Sequence, residues 1–155
     1  MIAFIVNYKR AEQGDFLAPQ GDYETIISQA KFDCTVSGKD YIRLTLRIRE
    51  DIAQEGAGEL LEYPIWKRCE PTVRDPEGYP HYTLQVLARC AGLQNGLKFA
   101  VLSDLLDALY RRPIKVCVKH EKYNGVIREK VSYIMPSDQP QTEVSAYQHA
   151  ELHYL

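Results

Sequence analysis

Arg43, Arg47 and Arg49 fall at alternate positions of the segment Tyr41-Ile-Arg-Leu-Thr-Leu-Arg-Ile-Arg49, with Tyr41 and Thr45 filling the remaining odd places and no acid among them. Guanidinium groups grip phosphate in a fixed fork and stack on flat rings, and a tyrosine ring offers a surface on which a base can stack. The chemistry open to this set is therefore noncovalent: charge neutralisation along a nucleic-acid backbone, with stacking against bases. The same pattern also suits the solvated face of an ordinary half-buried strand, and that plainer account stands beside the first.

Other residues extend the candidate set. Trp66 is the sole tryptophan and is followed by Lys67 and Arg68. By parity Tyr63, Ile65 and Lys67 share one face and Leu60, Glu62, Trp66 and Arg68 the other, which leaves Trp66 open between ligand and core. Lys115 and Lys119 alternate with Ile114, Val116 and Val118, and Arg128 and Lys130 with Ile127 and Val131. Tyr123 sits at a turn, placed either to stack on a base or to cover one end of the fold.

Covalent and metal chemistry find little purchase. The chain has no Gly-x-x-x-x-Gly-Lys loop, no Gly-x-Ser-x-Gly elbow and no His-Glu-x-x-His pair. His149 and His153 are four apart without a third ligand near in sequence. Asp104 and Asp107 read as a helix-start signal and an exposed position. Cys34, Cys69, Cys90 and Cys117 lie 35, 21 and 27 residues apart. No Cys-x-x-Cys spacing results, so reduced thiols in a cytoplasmic protein are the economical reading. No catalytic residue, metal or cofactor is expected, and the chain does not read as an enzyme.

The elements that must position the basic residues follow from the pattern. At 155 residues with 45% hydrophobic side chains, the chain suffices for one domain with its own core. No run of 18 apolar residues spans a membrane, and Met1–Val6 lacks the features of a secretory signal, reading better as a short strand or an arm. Net charge is −2; residues 137–155 hold three acids and no lysine or arginine, so residues 1–136 hold 19 basic against 18 acidic groups, or +1. Alternation predicts strands over Tyr23–Phe32, Tyr41–Arg49, Leu60–Arg68, Ile114–Lys119 and Val126–Met135. Helical spacing predicts one helix over Tyr82–Ala91 with Gly92 as its stop. A second starts at Ser103 as cap, with Arg111 and Arg112 at its end and Pro113 beyond. Asn124-Gly125 is the strongest hairpin signal present.

Three strands, a helical segment and a two-stranded hairpin give a mainly β fold: a five-stranded, oligonucleotide-binding-like barrel with a helical insertion between strands three and four. It occupies residues 1–136, with 137–155 a flexible tail that holds at most one late helical turn. That fold presents strands two and three to its ligand, here the arginine face and the strand of Trp66.

The sequence resembles a family of small phage proteins long catalogued as a domain of unknown function and later associated with single-stranded DNA binding. The resemblance rests on Pro19-Gln-Gly-Asp-Tyr-Glu24, on Ser37-Gly-Lys-Asp40 leading into the arginine strand, and on Leu87-Ala-Arg-Cys-Ala-Gly-Leu93. It continues through Leu105-Leu106, Arg112-Pro-Ile-Lys-Val-Cys-Val-Lys-His-Glu121, Tyr123-Asn-Gly125 and Val131-Ser-Tyr-Ile-Met-Pro136. It implies a barrel that coats single-stranded DNA without sequence preference during phage replication or recombination, in the host cytoplasm and alongside other proteins of those processes. Many bacterial single-strand binders end in a strongly acidic tail with a terminal phenylalanine; this chain departs from them, ending Glu-Leu-His-Tyr-Leu155.

The expected nucleic-acid contacts are Tyr41, Arg43, Arg47, Arg49, Trp66, Arg68, Lys115, Lys119, Tyr123 and Arg128. A reading from another class also stands: a protein-interaction module or inhibitor docking on a host or phage enzyme, favoured by near-neutral charge and 11 tyrosines. A homodimer is the preferred assembly, the Met1–Val6 arm adding a strand to a neighbouring subunit or completing its own barrel.

Overall fold

Ile42, Leu44, Leu46 and Ile48 are all fully buried, as a period of two demands of a strand with one face on a core. They belong to a computed structural model that describes Phe4, Val6, Tyr8 and residues 16–140 except 69, 74 and 76. The expectations for the rest of the Met1–Val6 arm, for Cys69, for the tail beyond 140 and for His149 and His153 lie outside the described residues.

Five strands form one antiparallel sheet: β1 (Gly21–Cys34), β2 (Asp40–Ile48), β3 (Leu60–Trp66), β4 (Pro113–Tyr123) and β5 (Val126–Pro136), in the order β3-β2-β1-β4-β5. Two helices, α1 (His81–Cys90) and α2 (Leu102–Leu109), lie between β3 and β4 in sequence. β1 is the hinge of the sheet. Its residues 21–26 pair with β4 and its residues 25–34 with β2, and the register shifts between Ile27 and Gln29. An extra residue in one strand bends it, and here Ser28 fastens the bend by donating to the Thr45 carbonyl at 3.0 Å. The concave face gathers Tyr23, Ile27, Ile114, Val116, Val118, Val131 and Ile134 around the β2 row, and α1 and α2 cover it with Leu84, Leu87, Leu105, Leu106 and Leu109.

The expected closed barrel is not made. β3 and β5 approach one another, yet no hydrogen-bonded ladder joins them and the sheet stays open between its edges. Pro64 contributes to this, because a proline within a seven-residue strand removes a donor that a ladder would need.

Both helix ends depart from the sequence reading or refine it. Ser103 does not cap α2: the helix starts at Leu102, and no side chain caps it. The apolar stripe Leu102, Leu105, Leu106, Leu109 begins one residue before the serine, and burying it outweighs the cap. Arg111 and Arg112 lie beyond the helix, which ends at Leu109. Arg111 takes φ +67 and, with Arg112, exchanges backbone hydrogen bonds with Ile27 at 2.7 and 2.9 Å. At α1 the stop is as expected. Gly92 at φ +78 bonds back to the Arg89 carbonyl and Leu93 to that of Ala88, a Schellman closure.

Candidate nucleic-acid interface

The antiparallel register sets the outer face. Tyr41 lies opposite Trp66, Arg43 opposite Pro64, Thr45 opposite Glu62 and Arg47 opposite Leu60; on the other side Tyr41 meets Asp33 and Arg43 meets Lys31. Because a one-residue slip would exchange the faces, the buried β2 row places all of these on the side away from the core. Trp66, which parity left open, is on this outer face and 38% exposed.

Its ring packs on Tyr41 with centroids 4.7 Å apart and planes tilted by 38°. Lys39 holds its ammonium 4.7 Å above the Trp66 ring. Arg43 donates from Nη2 to the Tyr41 hydroxyl at 2.7 Å and lies 3.0 Å from Asp33 Oδ2. Asp33 in turn accepts from the Cys34 amide at 2.8 Å through its other oxygen. The result is a half-exposed aromatic pair with cations at its rim, a surface on which bases can stack. Arg47 is different. It is exposed, and among the described residues no carboxylate pairs with it.

Glu62 is a second acid of this face, besides Asp33. Thr45 donates to its two oxygens at 3.3 and 3.4 Å. Loss of water around the carboxyl raises its pKa above the ordinary glutamate value, against the opposing pull of Arg43, Thr45 and Lys31.

Arg49 requires a correction. It is 1% exposed and cannot reach a ligand on the surface. Its Nε and Nη2 meet Asp51 at 3.1 and 2.8 Å, and Nη1 donates to the Gln139 carbonyl at 2.8 Å. Next to it the buried Glu24 accepts from the Ser137 hydroxyl at 2.9 Å and the Asp138 amide at 3.1 Å. Gln54 bridges the two strands, donating to the Glu24 carbonyl at 2.8 Å. These groups tie the chain leaving β5 to the ends of β1 and β2. The strand alternation continues through Arg49, but distant segments cover it.

The other sequence-derived residues divide similarly. Arg68 grips Asp75 at 2.6 Å, and the buried Asp75 accepts from the His81 amide at 3.0 Å, doing for the start of α1 what Pro80 at the cap position cannot. Lys115 meets Asp138 at 2.7 Å, and that hydrogen bond raises the lysine pKa. Lys119, Tyr123 and Arg128 lie on the outer hairpin of β4 and β5, with the Arg128 guanidinium 4.2 Å from the Tyr123 ring centroid. Lys31, Lys39, Asp33 and Glu62 were not singled out from the sequence. Lys39 precedes Tyr41 by two, a legible signal; Asp33 and Lys31 join the site only through cross-strand register.

A groove of about 690 Å³ lies between the helices, lined in part by Leu84, Val86, Leu93, Phe99 and Leu102. Its lining holds no carboxylate, cysteine or serine. Among the described residues no cluster of three metal-ligating side chains occurs, and no helix is long and apolar enough to cross a membrane. Cys34, Cys90 and Cys117 are free thiols.

A single antiparallel sheet, one face on the core and the other carrying exposed aromatics and cations, defines a small mainly β protein whose outer sheet face is its candidate binding surface. The chain belongs to the family described as "Protein of unknown function (DUF669)", whose model matches residues 6–146. No curated protein matches it. Among solved structures, a chain described as "Yeast RPA bound to ssDNA" aligns over 99% of this chain and 98% of that chain, with 14% identity and a TM-score of 0.31. A likeness of that strength establishes neither a shared fold nor a shared ligand.

Proposed function

We propose that this protein binds single-stranded DNA without sequence preference, through the outer face of β2 and β3. The observation that carries the reading is the half-exposed Tyr41–Trp66 pair rimmed by Lys39 and Arg43, with Arg47 exposed on the same face. Tyr41 and Trp66 stack bases of any identity, Arg47 and Arg43 take phosphates, and Lys119, Tyr123 and Arg128 of the β4–β5 hairpin extend the contact. Arg49, Arg68 and Lys115 hold the scaffold. Strand order 3-2-1-4-5 with the edges close together supports an oligonucleotide-binding-like barrel that lacks its closing ladder. The resemblance to small phage proteins supports a role in phage replication or recombination in the host cytoplasm, without enzymatic activity, and residues 1–136 acting as one domain.

The test is fluorescence anisotropy with a labelled strand of about 30 nucleotides, longer than one barrel covers, at low and high salt against duplex competitor. Binding that falls steeply with salt, resists the duplex and weakens in an Arg43→Ala, Arg47→Ala double variant is expected. No binding at low salt, or unchanged affinity in the folded double variant, would overturn the reading. A second reading, docking on another protein, is favoured by Tyr82 and Leu97, both more than half exposed in the lining of the helix groove. Affinity of that kind would survive added salt.

A further inference from the structure

Past the buried pair Val118 and Val131, β4 and β5 leave the core, and from Lys119 to Lys130 every residue is exposed or half-exposed. The projecting ribbon is nonetheless firmly rooted. On one face His120 and Glu129 are cross-strand partners. His120 donates to the Ala18 carbonyl at 2.7 Å, and Glu129 accepts from the Ala18 amide at 2.6 Å. The His120 amide adds a bond to the Gln20 side chain at 2.9 Å. At the far end Asn124 and Gly125 take φ of +50 and +80, the tight turn that matches strand twist.

The tip is apolar. Val126 is 66% exposed, Ile127 57% and Tyr123 56%, with Val126 directly opposite Tyr123. Consecutive strand residues point to opposite faces, so Val126 and Ile127 present aliphatic groups on both sides of the ribbon. β-branching alone would be served by threonine, which exposes less apolar surface. Along the ribbon, from Lys119 and Lys130 at its root to Lys122 and Arg128 nearer the turn, four cations stand against Glu121 and Glu129. Glu121 is shared by Arg128 at 2.9 Å and Lys130 at 3.9 Å, and Glu129 is held by the Ala18 amide at 2.6 Å.

A narrow ribbon end with aliphatic groups on both faces and cations along its strands has the complementarity of a point where two stacked, polyanionic strands separate. Apolar wedges of this kind unstack neighbouring base pairs where charges hold the flanking phosphates. We propose that the β4–β5 hairpin is a wedge for the junction between single-stranded and duplex DNA: Tyr123 stacks on the last unpaired base, Val126 and Ile127 line the two faces past which the parting strands run, and the cations of the ribbon, Lys119 and Lys122 foremost, hold their phosphates. The protein then recognises a fork more tightly than a plain strand and opens its terminal pairs. This rests on the single-strand reading above and adds an activity to it.

The experiment compares a single strand, a blunt duplex and a forked duplex of matched sequence, with 2-aminopurine at the first pair of the fork. Full-length wild type is expected to bind the fork several-fold more tightly than the strand and to raise 2-aminopurine fluorescence. A Val126→Ser, Ile127→Ser variant, changed only at exposed positions, is expected to keep its circular dichroism and single-strand affinity while losing both fork preference and fluorescence rise. Equal binding of strand and fork, or a variant that keeps the preference, would overturn the wedge and leave single-strand binding intact. Failure to bind any of the three would remove the single-strand reading and the wedge with it. A variant that instead loses single-strand affinity would place these side chains in ordinary strand contact and overturn the wedge as well.

Discussion

Arg47 and Arg49 stand two residues apart on the same strand parity, yet they belong to different regions of the molecule. Arg47 lies on an open sheet face beside Arg43, Tyr41 and Trp66; Arg49 lies in a closed polar knot with Asp51, Gln139 and, nearby, Glu24 and Ser137. Nothing in the arginines differs. What differs is whether other segments bring oxygen atoms over them: the loop after β2 and the chain leaving β5 cover Arg49 and stop short of Arg47. A basic strand face is thus a binding surface only as far as the rest of the chain leaves it uncovered. Arg43 is the intermediate case, its charge matched by Asp33 while most of its donors remain available.

The comparison breaks most visibly under truncation. Arg49→Met breaks the buried ion pair with Asp51 and the bond to the Gln139 carbonyl, and a loss of about 3–5 kcal/mol of stability is expected from urea unfolding. Arg47→Met should stay within about 0.5 kcal/mol of wild type in the same assay. If the two variants unfold alike, the division into knot and open face fails. Trp66→Ala is expected to cost about 1–3 kcal/mol of single-strand affinity at every salt concentration, since stacking carries no counterion term. A change confined to low salt would contradict the stacking role.

Smaller effects separate the two remaining arginines. Arg47→Ala should reduce the slope of log affinity against log salt by about 1. Arg43→Ala should reduce it by less, because Asp33 already neutralises part of its charge; equal slopes would mean that the pair opens on binding. The smallest effect concerns Glu62. Its pKa is raised by loss of water around the carboxyl, so as pH falls from neutrality it takes up a proton sooner than an ordinary glutamate. Removing that negative charge beside Arg43 and Lys31 favours a polyanion, so affinity should rise as pH falls. Glu62→Gln should bind a few-fold more tightly at neutral pH and lose most of this pH dependence. Titrations that run parallel in the two proteins would count against Glu62 as the sensing group.

Much of the architecture was legible because it rests on local chemistry. Alternation placed the β2 row and both hairpin strands, Gly92 placed the end of α1, and Asn124-Gly125 placed the hairpin turn. Ser103 was misread because the apolar stripe that packs α2 on the core starts one residue earlier, at the partly buried Leu102. The end of α2 was misread because Ile27, a distant residue, takes the backbone groups of Arg111 and Arg112. In the candidate site, Tyr41, Arg43 and Arg47 were legible as one face of a strand. Asp33 and Lys31 were not, since only pairing with β1 brings them beside Arg43.

By itself, then, the sequence determined which residues share a strand face, because side-chain direction alternates with a period that depends on nothing beyond the backbone. Only the tertiary structure decided that Trp66 faces outward onto Tyr41, that Arg49 is sealed by Asp51 and Gln139, and that β3 and β5 leave the sheet open. Each of those outcomes depends on segments far apart in the chain meeting in space, and register, coverage and closure are properties of that meeting.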